Sequence, residues 1–137
     1  MLGPGDLDRL LRESDVLVVA LPETGETREL LGERELALLG EEGVLVNLSR
    51  GVVVDEDALV EALRSGGLRG AALDVFREEP LPDDHPLWST DRTLLTPHVG
   101  GVSGRFWDRE TDLLLENVER YLRGAPLRNE VDKDRGY

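Results

Sequence analysis

Apolar positions along this chain follow two alternating patterns. Short, nearly continuous runs rich in Val and Leu occupy residues 16–21, 43–49, 70–76 and 93–97. Between them, Leu and Ala recur at the three- and four-residue spacing of helices. The runs are too short for helices and too continuous for strands with one wet face, so they predict strands buried on both faces of a parallel sheet. Leu7, Leu10 and Leu11 mark a helix over 6–14, and residues 34–39 form another, closed by Gly40. Asp55-Glu56-Asp57 opens a third helix with acids in its first turn, where the helix dipole favours them, and Gly66-Gly67 stop it. The longest helix is expected over 103–123, with Trp107, Leu114, Leu115, Val118, Tyr121 and Leu122 as its inner stripe. Residues 77–91 read as an acidic, proline-bearing loop and 125–137 as a polar tail.

Strands separated by helical crossovers predict an α/β fold with an open parallel sheet and flanking helices. Ligands of such sheets bind at the carboxyl ends of the strands. That rule selects Leu21-Pro22, Ser49-Arg50-Gly51, the stretch 74–79 and the stretch 98–101.

Composition narrows the chemistry. The 137 residues carry 16 Lys+Arg against 29 Asp+Glu, a net charge of −13. A chain this acidic is a poor match for phosphate backbones, so no nucleic-acid partner is expected. Lys133 is the single lysine, a bias that a GC-rich genome produces, while the acidic surface is also what a salt-rich cytoplasm favours. With no Cys, disulfides and thiol nucleophiles drop out, and no metal site is expected. No apolar run reaches membrane-spanning length, and the first six residues lack a basic start and an apolar signal core. The expectation is a cytoplasmic protein without a membrane partner.

Four polar residues at the strand ends carry candidate chemistry. Arg50 can hold a carboxylate through two parallel hydrogen bonds, although a surface salt bridge would use it as readily. Asp74 ends an apolar strand, where its carboxylate needs either a loop to cap or a ligand. His98, between Pro97 and Val99-Gly100-Gly101, suits proton exchange with a hydroxyl, or serves structure. Glu79 can pair with it and set its tautomer. His85 reads as structural, and Trp88 as an anchor of the 77–91 loop.

Together these residues form motifs. Asn47-Leu48-Ser49-Arg50-Gly51, Ala72-Leu73-Asp74-Val75-Phe76-Arg77-Glu78-Glu79-Pro80 and Thr96-Pro97-His98-Val99-Gly100-Gly101 closely resemble those of the D-isomer-specific 2-hydroxyacid dehydrogenases. The steps also fit: 24 residues from Arg50 to Asp74, five to Glu79 and nineteen to His98. The resemblance implies the second half of a Rossmann-type domain using NAD or NADP, with a 2-oxo or 2-hydroxy acid as substrate and a homodimer as the full-length enzyme. It implies Arg50, Glu79 and His98 as catalytic residues, and Leu21, Leu48, Ser49, Arg50, Asp74, His98, Gly100 and Gly101 as cofactor neighbours.

No G-x-G-x-x-G follows a strand in this sequence, so that fingerprint is expected ahead of residue 1. The expected division is a partial NAD(P)-binding domain over 1–124 and a tail over 125–137, inactive alone. Without amino-terminal neighbours, Trp107, Leu114 and Val118 are expected to lie exposed. The rival reading is a non-catalytic interaction or dimerisation module akin to the family's corepressor branch.

Overall fold

The computed structural model describes residues 3–134 and 136. The chain divides into two units, Met1–His98 and Val99–Tyr137.

The first unit holds a four-stranded, all-parallel sheet in the order β1-β2-β3-β4: β1 Val16–Val19, β2 Val44–Asn47, β3 Gly70–Leu73 and β4 Thr93–Leu95. Helices connect them: α1 Leu7–Glu13 enters β1, α2 Glu33–Leu39 lies between β1 and β2, and α3 Glu56–Ser65 lies between β2 and β3. Val16 pairs with Val44, Val44 with Gly70 and Ala71 with Thr93, so the strand carboxyl ends fall along one edge. Each strand stops two or three residues before its apolar run does. The terminal residues of those runs turn out of the sheet and become the loops of that edge.

The sheet is not buried equally on its two faces, which corrects one expectation. Leu17, Val19, Leu45, Ala71 and Leu73 join Leu11, Leu36, Leu39, Leu59, Val60 and Leu63 of the helices in one core. On β1 the alternate residues Val16 and Val18 are more than half exposed. The helices connecting these strands supply apolar side chains to one face. Val and Leu also dominate the other face, so composition gave no sign of the asymmetry.

Asp55 caps α3, accepting hydrogen bonds from the Asp57 and Ala58 N–H groups. Glu56, one residue on, is buried and faces the 77–91 loop, so it is not the solvated dipole partner that its position implied. Leu81 and Leu87 plug that loop into the core. Trp88 does not anchor it to the domain: its indole is 57% exposed, and its Nε1–H donates to Pro82 O within the same loop.

In the second unit, α4 Phe106–Leu122 has no buried residue. Trp107, Leu114, Leu115, Val118, Tyr121 and Leu122 are all exposed, so the expected inner stripe is not buried, and Trp107 meets the neighbouring Phe106 ring edge-on at 5.1 Å. Its polar side is tied to the tail by Asn117, which bonds the Arg128 backbone in both directions, and by a Glu116–Arg128 ion pair. Among the described residues no helix is long and apolar enough to cross a membrane.

Candidate active site

Asn47, at the end of β2, is almost completely buried and holds the turn that follows. Its Oδ1 accepts from the Ser49 N–H (3.1 Å) and Ser49 Oγ (2.9 Å), and its Nδ2 donates to Arg50 O (3.0 Å). That turn places Arg50 at the exposed sheet edge, with one guanidinium nitrogen on Ser49 O at 2.7 Å. Gly51 follows against the Phe76–Arg77 peptide: a Cβ there would lie 1.9 Å from Phe76 C and 2.3 Å from Arg77 N. A side chain is excluded at this position by close approach of backbone.

Asp74, just beyond β3, is 3% exposed. Its N–H donates to Asn47 O and its Oδ1 accepts from Thr96 Oγ1, which ties β2, β3 and the end of β4 together.

His98 leaves β4 through a tight turn around Pro97, its N–H donating to Thr96 O at 3.1 Å. Its φ of 54° is left-handed, a conformation costing a non-glycine residue on the order of 1 kcal/mol. The turn brings its Nδ1 to 2.7 Å from Glu79 Oε2. Glu79 Oε1 accepts the Phe76 N–H at 2.9 Å, so one carboxylate spans its own loop and the histidine. Partial burial pushes the Glu79 carboxyl up. The bonds from His98 and Phe76, with the positive charge of His98 and Arg50, outweigh that and hold it below its ordinary range. Glu79 is therefore a carboxylate at neutral pH and only accepts, which puts a proton on His98 Nδ1 and leaves Nε2 for exchange.

Beside this pair lies a hollow of about 710 Å³, walled by Phe76, Leu81, Trp88, Leu95 and Pro97. Leu21 and Leu48, beyond the ends of β1 and β2, are exposed apolar side chains on the same edge. Ser49 is buried. Arg50, Asp74, Glu79 and His98 thus share the edge that topology indicated. Gly100 and Gly101 belong to the second unit, where both are exposed.

The model of the D-isomer specific 2-hydroxyacid dehydrogenase NAD binding domain matches residues 2–100. The chain belongs to this family. Glyoxylate/hydroxypyruvate reductase A of Klebsiella pneumoniae strain 342 is 42% identical over 135 residues, covering 98% of this chain and 43% of that protein. Glyoxylate reductase of Aeropyrum pernix is 44% identical, over 93% of this chain and 38% of its own length. Among solved structures, the D-isomer specific 2-hydroxyacid dehydrogenase of Xanthobacter autotrophicus Py2, in complex with NADPH and MES, superposes with a TM-score of 0.90 at 43% identity. It is covered over 55% of its length, against 98% of this chain. The NADPH-dependent glyoxylate/hydroxypyruvate reductase of Sinorhizobium meliloti, in complex with NADP and sulfate, gives 0.91 at 33% identity, over 99% of this chain and 44% of that one. This member of the D-2-hydroxyacid dehydrogenases therefore spans less than half the length of these curated relatives.

Two buried polar contacts have no signal in the sequence. Asn47 lies inside the Asn47–Gly51 motif, where nothing marks its side chain as the one that holds the turn. Glu56 was one acid among three, and nothing in its spacing marks which of the three turns inward.

Proposed function

We propose that residues 1–124 are the catalytic portion of the NAD(P)-binding domain of a D-2-hydroxyacid dehydrogenase, which interconverts a 2-oxo acid and the D-2-hydroxy acid. The observation that carries this reading is the 2.7 Å contact between His98 Nδ1 and Glu79, with Arg50 close enough to stabilise the Glu79 carboxylate. A cation for the substrate carboxylate and a proton donor for its carbonyl are what reduction of a 2-oxo acid requires.

Arg50 binds the substrate carboxylate and orients the neighbouring carbonyl. His98 gives the Nε2 proton to the carbonyl oxygen as it becomes a hydroxyl, and takes it back in the reverse direction. Glu79 stabilises the imidazolium through Nδ1. NAD(P)H, when bound, supplies the hydride. The residues present fit its nicotinamide end: Asp74 brings a nearly buried carboxyl with acceptor oxygens suited to a carboxamide N–H, and Leu21 and Leu48 offer apolar surface for the ring. Small 2-oxo acids of the glyoxylate and hydroxypyruvate kind, named in the relatives, are the substrates proposed. A net charge of −13 disfavours nucleic acid, and a homodimer is proposed for the full-length enzyme.

The test is a chimera in which these residues replace the matching segment of the Klebsiella reductase. It should reduce glyoxylate with NAD(P)H, and His98→Asn should lower kcat by roughly 10²- to 10⁴-fold. A folded, cofactor-binding chimera whose rate ignores His98 overturns the reading. The 137-residue chain alone, lacking a glycine fingerprint, should bind NADH only at about millimolar Kd or weaker in calorimetry.

A further inference from the structure

Glu56 is a buried carboxylate, 8% exposed, that the chemistry above does not use. Asp55 already caps the helix it begins. Its Oε1 instead accepts the backbone N–H of Arg77, 21 residues away, at 2.5 Å. Its Oε2 faces His85 Nε2 at 3.4 Å. His85 Nδ1 accepts the Leu87 N–H, which leaves the ring proton on Nε2, toward Glu56. His85 is structural, as its loop position implied.

Consecutive amides of one loop are therefore held by two different carboxylates. The Phe76 N–H goes to Glu79 and the Arg77 N–H to Glu56. The peptide between them is the one against which Gly51 packs without room for a Cβ. Its position thus sets both where the Arg50–Gly51 turn rests and where the chain leading to Glu79 begins. The acid–base pair has little packing of its own, because the His98 and Glu79 side chains are 48% and 35% exposed. Hydrogen bonds through the loop must hold its geometry. On the solvent side, the Arg77 guanidinium bonds Glu29 at 3.2 Å and approaches Asp55 at 3.8 Å, while Asp57 and Glu78 line the same recess.

We propose that Glu56 is a positioning residue for the His98–Glu79 pair, acting through the Phe76–Arg77 peptide that it holds. The proposal rests on the reading of that pair as the acid–base couple, and it concerns geometry that exists without substrate.

The readout is the titration of the Glu79 side-chain carboxyl, followed by carbon NMR in the 137-residue chain and assigned with Glu79→Gln. Two effects of removing Glu56 have opposite signs. Loss of a nearby negative charge alone lowers the Glu79 midpoint. Release of the peptide weakens the bonds from Phe76 and His98 and raises it. Glu56→Asp keeps the charge but withdraws it by one methylene, and Glu56→Gln keeps an acceptor oxygen without the charge. Glu56→Asp and Glu56→Ala should raise the midpoint by roughly half a unit, a threefold change in proton affinity, with Glu56→Gln at or below the parent value. Folded Asp and Ala variants that titrate at or below the parent overturn the proposal, as does a Gln variant that rises as far as Ala. If the Ala variant does not fold, the Asp and Gln pair decides the matter. No turnover is measured, so an inactive chimera would fail the functional reading and leave this result standing.

Discussion

Helices α3 and α4 are both amphipathic, yet they meet opposite fates. α3 buries Leu59, Val60 and Leu63, whereas the longer α4 buries nothing. The difference lies in connectivity. α3 leaves β2 and must return to the parallel β3 beside it, so the crossover lays its apolar face on the sheet. No described strand follows α4 to pull it back. An amphipathic pattern thus specifies a face, while its burial needs an opposing layer that the chain brings near.

The sharpest way to break this comparison is to truncate one leucine from each helix. Leu59→Ala, at a fully buried site, should cost about 2–5 kcal/mol in urea unfolding of the first unit. Leu114→Ala, at a site 64% exposed, should stay within about 0.5 kcal/mol. Equal losses would show that α4 is buried in solution after all.

Two glycines make the same contrast on a smaller scale. Gly51→Ala drives a methyl into backbone and should cost about 1–3 kcal/mol, while also displacing Arg50. Gly124, after α4, has open space around it but a φ of 65°. Gly124→Ala should cost on the order of 1 kcal/mol, from backbone conformation alone. Thermal unfolding of both variants orders them, and a reversed order would contradict the contact at Gly51.

The smallest effect is electrostatic. Glu79 in the first unit and Glu116 on α4 are both held below the ordinary carboxylate range. Glu79 is held down against its own burial, by His98 and Phe76. Glu116 is held down by its hydrogen bonds from Arg120 and Arg128. A depressed folded-state pKa adds stability that is fully present above the unfolded value and lost as pH falls through the folded one. Both contributions should therefore fade below about pH 4.5. Glu79→Gln and Glu116→Gln should each flatten the acid limb of stability against pH. Half-molar salt should erase the Glu116 effect more completely, because two arginines hold Glu116 whereas one of the Glu79 bonds comes from the neutral Phe76 N–H, and Debye screening within about 4–5 Å at such concentrations acts on charges. Equal salt sensitivity would remove the distinction between the two sites.

How much of this was legible beforehand depended on the range of the interaction. Strand and helix positions, the parallel sheet and the edge holding Arg50, Asp74, Glu79 and His98 all follow from local periodicity and from the rule that sheets bind at strand carboxyl ends. The pairing of Glu79 with His98 was expected from the loop position of Glu79 and from the family resemblance, and the two lie in contact. Trp88 went wrong because an indole in a proline-rich loop looks the same in sequence whether it faces the core or, as here, its own loop. Glu56 was missed because its partner amide lies 21 residues on, in a loop without regular structure.

The sequence by itself determined the order of elements, the family and the residue types at the candidate site, since these depend on nearest neighbours and on motifs read along the chain. Tertiary structure alone decided which sheet face is covered, which acid of Asp55-Glu56-Asp57 turns inward, and that Gly51 meets the Phe76–Arg77 peptide. Each of those outcomes depends on contacts between residues far apart in the chain, which take their geometry from the packed sheet and its loops.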